Sequence, residues 1–376
     1  MVRKRVAAIP RNRQRRKHLL TFLLLFLFLV LPSTVDCQSI EKEILNEIQK
    51  ILKYEVSIDT SETPGFIIGI VEVDTTFVLQ HGLDASKSAK IDKNAYYALG
   101  GLSKVYLALL YQDLINRNQI RDEIELQELF PSLHGTAWES VNIYQLLTHT
   151  SGIPRTLRNV NTKQVDPFEG IQLKDIFQGL HDTPSSNKSN FRYSHYNYGL
   201  LSEALKRITS MSIEQLWMNC PPCVELRPSL IISTSKKIIP EGLNKVGELT
   251  KIKDYGDMKY SLGLQASIYD LLKLIDIIRS LDESQFNITS EELSTGINKT
   301  VKFSRGLYKL TGDKKYTVYS HSGRSNQHSA AIHYVPETKT GVVIISNSEI
   351  GTKDLSLQVL RMVNNNWKRK RIDTNE

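Results

Sequence analysis

Strand-like runs lie at both ends of this chain, with a long helix-patterned stretch between them, so any sheet has to be assembled from segments far apart in sequence. Near the start, residues 66–71 (FIIGIV) and 76–79 (TFVL) are rich in β-branched and aromatic residues. Comparable runs return at 317–320, 329–334 and 342–346, with Pro336, Glu337 and Thr338 forming a turn between the last two. From Gly101 to about Asn298 the apolar spacing is mostly helical, including 199–208 and 266–281, and a final helix is expected near 354–367. Ile40, Ile44, Leu45, Ile48, Ile51 and Leu52 recur at helical spacing and predict an amphipathic N-terminal helix. The expected fold class is α+β: an antiparallel sheet flanked by N- and C-terminal helices, with an inserted, mostly helical subdomain and a cleft at the junction. The expected boundaries are 38–100 and about 300–367 for the sheet subdomain, about 101–299 for the helical one, and 368–376 for a basic tail.

The net charge of +8 does not describe this body. Residues 1–37 hold eight Lys/Arg against the single acid Asp36, which leaves the remainder at +1. A basic surface for nucleic acid is therefore not expected. Residues 19–31 are apolar apart from Thr21 and are followed by Pro32 and small residues. Thirteen helical residues reach roughly 20 Å, short of a ~30 Å hydrocarbon core. Residues 1–37 are thus read as a signal peptide cleaved after Cys37, giving a secreted, extracellular protein with no membrane contact; an uncleaved type II anchor is the alternative.

The sequons at Asn187, Asn287 and Asn298 fit a secretory route and are expected glycosylation sites. Loss of Cys37 would leave Cys220 and Cys223, in Cys-Pro-Pro-Cys, as a local disulfide in an oxidising compartment. A redox Cys-x-x-Cys would need a thioredoxin-like βαβ context, which the pattern lacks. No group of Cys, His or Asp has metal-ligand spacing, so neither a metal nor a cofactor is expected.

Four segments carry chemistry. They are Gly101-Leu102-Ser103-Lys104, residues 146–154 (LLTHTSGIP), residues 191–201 (FRYSHYNYGLL), and His321-Ser322-Gly323. In order and spacing they resemble the motifs of the serine β-lactamase and penicillin-binding protein-like superfamily, in its class C β-lactamase, D-alanyl-D-alanine peptidase and peptidase family S12 branch. The resemblance covers roughly residues 40–366. It implies a Ser-x-x-Lys pair opening the central helix, a Tyr-Ser-Asn loop, and a Lys/His-Thr/Ser-Gly strand lining the cleft. Gly101 stands where that resemblance places the nucleophilic serine, and His195 stands where it places asparagine.

A spacing of three puts positions 101 and 104 on one helical face, whereas Ser103 points elsewhere and cannot substitute for a serine at 101. The resemblance implies catalytic roles for Lys104 and Tyr193, with the tyrosine pKa expected to be lowered by a charged Lys104. It implies a ligand-binding set of Gly101, His195, His321, Ser322, Gly323 and Arg324, in which Gly101 and Arg324 supply oxyanion N–H groups. For His321 two readings stand side by side, carboxylate recognition and a partly exposed strand histidine. His149 is read as structural. Loss of an acyl-transfer nucleophile typically costs about 10⁶ in turnover. The functional expectation is therefore a secreted, catalytically inactive protein that acts as a binding or structural component of an extracellular fluid or matrix, a shell-type organic matrix being one example. Its partner in the cleft would be an acyl, peptide or carboxylate ligand. The alternative is a serine-independent hydrolase of esters, amides or peptides, in which Lys104 and Tyr193 activate water lodged beside Gly101.

Overall fold

An eight-stranded antiparallel sheet, with its strands in the order Thr75–Gly82, Gly65–Glu72, Thr340–Ser346, Ser329–Val335, Val318–Arg324, Tyr308–Leu310, Val301–Phe303 and Leu293–Ser294, joins the two ends of the chain. In this computed structural model the described residues are 46–48, 50–51, 64–73, 75–160, 166–184, 190–226, 239–280, 293–311, 316–351 and 353–373. The early strands are β1 (Gly65–Glu72) and β2 (Thr75–Gly82), and the two-stranded β3 (Tyr97–Ala98) with β6 (Gln265–Ala266) lies apart from the main sheet. A second small pair is β4 (Gly242–Leu243) with β5 (Leu249–Thr250). The late strands are β7 (Leu293–Ser294), β8 (Val301–Phe303), β9 (Tyr308–Leu310), β10 (Val318–Arg324), β11 (Ser329–Val335) and β12 (Thr340–Ser346). The helices are α1 (Ser103–Asn116), α2 (Leu126–Leu129), α3 (Ile143–Leu147), α4 (Leu173–Asp182), α5 (His195–Thr209), α6 (Ile213–Met218), α7 (Lys259–Leu262), α8 (Ile268–Ser280) and α9 (Lys353–Asp373). Contacts divide the chain into Met1–Gln49 and Lys50–Glu376; of the first unit only residues 46–48 are described, and they are helical. The expected N-terminal helix thus falls mostly outside the described residues, as does the whole of 1–37.

β1 closes the sheet by pairing with β12, Phe66 opposite Ser346 through Glu72 opposite Thr340. β11 and β12 are buried along their whole lengths, and β1 up to Val71, because helices cover both faces. On β11 and β12 the paired His333 and Val342 face one way, and the next pair, Tyr334 and Gly341, faces the other. His333 meets α9 through a 2.7 Å Nε2···Oγ contact with Ser356, while Gly341 lies against Ile275 of α8. β2, at the open edge, alternates instead, with Phe77 and Leu79 buried between exposed neighbours.

Among the inserted helices α1 is the hub. Every residue from Ser103 to Leu114 is buried, so its Leu-rich sequence faces apolar neighbours all round rather than along one stripe. α3 begins at a reciprocal cap: Gln145 N–H donates to Asn142 Oδ1 at 2.9 Å, and Asn142 N–H donates to Gln145 Oε1 at 3.1 Å. The middle stretch is less purely helical than its apolar spacing predicts. It contributes β6, β7 and the β4–β5 hairpin, strands of two residues each, too short for a period-2 signal to register.

Candidate functional site

The site begins where two backbones touch. Pairing of Tyr97 with Ala266, and the Leu99 N–H donating to Leu264 O at 2.9 Å, lead the chain into a 3₁₀ turn, Gly100–Leu102, that runs directly into α1. Gly100 has φ +52, and a Cβ there would stand 2.2 Å from Arg324 O. A Cβ on Gly323 would lie 2.0 Å from Leu99 O and 2.6 Å from Gly101 N, so the last turn of β10 presses backbone against backbone on residues 99–102. β10 lies inside the sheet, yet it pairs with β9 only over Val318–Ser320; His321 to Arg324 are unpaired on that side and face the cleft.

Gly101, Tyr193, His195, His321, Ser322, Gly323 and Arg324 line one cavity of about 690 Å³, which Arg155, Lys353, Phe191, Tyr308 and Ile297 also help to form. Gly101 itself is open to a side chain on most sides. A Cβ there would meet Tyr193 Oη at 2.9 Å and nothing else nearer than Ser322 O at 3.6 Å.

Lys104 lies fully buried, three residues along the helix. Its Nζ donates to Ser261 O at 3.0 Å and stands 3.0 Å from His195 Nδ1, with the rings of Tyr193 and Tyr198 at 5.3 and 5.7 Å. His195, at the position the resemblance gives to asparagine, thus keeps a contact to the lysine. Burial, assisted by Arg155, pushes the Lys104 amine well below the ordinary lysine range. The expected lowering of the Tyr193 pKa is reversed: burial, and then Tyr308, raise it. The reason is physical. The lysine that was to stabilise a phenolate sits in the same water-excluded space, which disfavours its charged form too. Ser103 serves the fold, its Oγ accepting from Leu264 N–H at 3.2 Å.

His321 is not a partly exposed histidine. It is 1 % exposed, its Nδ1 lies 2.7 Å from Gly306 O, and burial lowers its pKa to about 3. His149 holds the loop before α5. Ser194 N–H at 3.4 Å and Asn197 Nδ2 at 3.1 Å donate to its Nδ1, with the Asn197 amide oriented by the Ser151 hydroxyl at 2.9 Å. Its ring packs against Tyr193 at 4.5 Å between centroids, which makes it a support for the tyrosine. Arg155 and Lys353 escape a reading built on four motifs. Arg155 directly follows the 146–154 segment, a position that could have drawn attention, whereas Lys353 carries no local signal.

Cys220 and Cys223 are buried and bonded to each other. Asn298 is exposed, and its Oδ1 accepts from the Thr300 N–H at 2.9 Å and hydroxyl at 2.8 Å; Asn187 and Asn287 fall outside the described residues. Among the described residues no cluster of metal-ligating side chains occurs, and no helix is long and apolar enough to cross a membrane.

The Beta-lactamase family model matches residues 51–218. A β-lactamase of Providencia stuartii is 21 % identical over 354 residues, 82 % of this chain and 87 % of that protein. A class C β-lactamase structure superposes with a TM-score of 0.72 at 16 % identity, covering 89 % of this chain and 98 % of its own. An octameric penicillin-binding protein homologue from Pyrococcus abyssi gives a TM-score of 0.69 at 17 % identity, covering 86 % and 77 %. The chain thus resembles the Beta-lactamase family over residues 51–218 and has the fold of class C β-lactamases and penicillin-binding protein homologues.

Proposed function

We propose that this chain is a secreted, catalytically inactive β-lactamase-like protein that uses its cleft for binding, as a component of an extracellular fluid or matrix. One observation carries this reading. Three residues before Lys104, in the 3₁₀ turn that leads into its helix, stands Gly101, which offers no oxygen, and the nearest side-chain oxygen is the Tyr193 phenol, which burial holds in its protonated form. The superfamily's chemistry needs an attacking hydroxyl beside the lysine, and its loss leaves only the ~10³–10⁴ that binding and oxyanion stabilisation supply. The backbone contact between residues 99–102 and Gly323 supports retention of a shaped cleft without that hydroxyl.

A hydrolase reading keeps one observation in its favour, a Lys104 amine whose pKa burial pushes well below the ordinary lysine range, as a general base requires. Assay of the purified chain with a chromogenic cephalosporin and an activated ester separates the two. No turnover above the Lys104→Ala variant is expected; turnover that vanishes in that variant establishes the hydrolase. Intact mass and the N-terminal residue of the protein recovered from culture medium test secretion and cleavage after Cys37.

A further inference from the structure

The charges around the cleft are one-sided. Arg155, Arg324 and Lys353 stand exposed on its lining, and among the described residues no aspartate or glutamate lines it. None of the three has a carboxylate within salt-bridge distance among the described residues, although Arg117, Arg207, Arg279 and Arg305 all do. The groups beneath them add no compensating charge, since His321 and Tyr193 are held neutral by burial. Three like charges around a concavity with low-dielectric walls focus a positive field into it.

Part of the lining is apolar. Ile297 remains 66 % exposed at the lip, and the half-buried Val301 and Leu310 continue that surface inward along β8 and β9. A large exposed isoleucine beside a cavity of about 690 Å³ leaves apolar surface that no part of the described chain covers.

We infer that the cleft binds an amphipathic dianion, a phosphomonoester head held by Arg155, Arg324 and Lys353 with an apolar tail laid over Ile297, Val301 and Leu310. Charge count selects the head: a carboxylate offsets one of three cations, whereas a phosphomonoester above its second pKa, about 6, offsets two and presents three acceptor oxygens to forked donors. This assignment rests on the reading of the cleft as a binding site.

Calorimetric titration of the full chain at pH 8 tests it, with octyl phosphate, octanoate, inorganic phosphate and octyltrimethylammonium as probes. Octyl phosphate is expected to bind at least tenfold more tightly than octanoate or inorganic phosphate, and the ammonium amphiphile not at all. Arg324→Ala with Lys353→Ala is expected to weaken octyl phosphate at least tenfold. Ile297→Ser is expected to weaken it severalfold while leaving inorganic phosphate within twofold. All three positions are exposed, and unchanged circular dichroism and Tm confirm folding. Equal binding of octanoate overturns the dianionic head; equal binding of inorganic phosphate overturns the tail; no saturable binding overturns the whole. Incubating octyl phosphate and an octanoyl ester with the chain keeps this separate from the functional reading. Tight binding with turnover sinks the inactive reading alone, while absence of both binding and turnover sinks the ligand alone.

Discussion

The two walls of the cleft meet their requirements in different ways. One is made of backbone, the turn at 99–102 pressed on Gly323. The other is made of side chains, Lys104, Tyr193, His195 and His149 interlocked through hydrogen bonds and ring contacts. The first wall demands only that certain Cβ atoms be absent; the second depends on each functional group. Residue 101 sits in the first wall, so the nature of its side chain leaves the backbone contact with Gly323 untouched and is felt in the second wall through the Tyr193 hydroxyl.

The largest effect should come from restoring an oxygen. Gly101→Ser is expected to raise labelling by a fluorescent penicillin or phosphonate by at least about 10²-fold over the natural chain, part of the ~10⁶ a nucleophile supplies. The added Cβ requires the Tyr193 hydroxyl to give way by only a few tenths of an ångström. A folded variant that never labels would mean that the side-chain wall no longer supports acylation even with an oxygen at 101.

Acid should act next. His321, His328 and His333 are fully buried with pKa values lowered to about 3, so between that value and about 6.5 the unfolded chain binds protons that the native one refuses. Stability is complete above the unfolded pKa and falls as pH drops through this window, by up to about 1.4 kcal/mol per unit for each histidine. Against a total of roughly 5–15 kcal/mol, unfolding followed by circular dichroism should begin above pH 4. A chain still native at pH 3 would show that these rings accept protons in place.

Adding a single methyl separates two positions of the backbone wall, one closed to a side chain and one open to it. Gly323→Ala, with a Cβ 2.0 Å from Leu99 O, should cost about 3 kcal/mol or more, whereas Gly101→Ala should cost about 1 kcal/mol or less, by denaturant titration. Equal losses would erase the distinction. The smallest effect is a gain. Lys104→Met removes a buried amine and should stabilise the fold by about 0.5–2 kcal/mol, read as a higher Tm.

Long elements were legible because period and composition are local. Runs at 66–71, 329–334 and 342–346 lie within β1, β11 and β12, and the helix expected near 354–367 lies within α9, which continues to Asp373. The site was legible only where a motif names its residues. The titration state of Tyr193 was misjudged because a charged neighbour was assumed, and burial, which is not encoded at any one position, decides whether Lys104 carries a charge.

Read along the chain, the residues already state which side chains are available: a glycine at 101, a lysine at 104, a histidine at 195 and three cations scattered over nearly two hundred positions, at 155, 324 and 353. Folding alone determined that these cations share a rim without acidic partners among the described residues, that β10 loses its neighbour at His321, and that the lysine is sealed from water. Identity is written locally in the polymer. Proximity and exclusion of solvent arise only when distant segments pack, and on these depend charge and ligand.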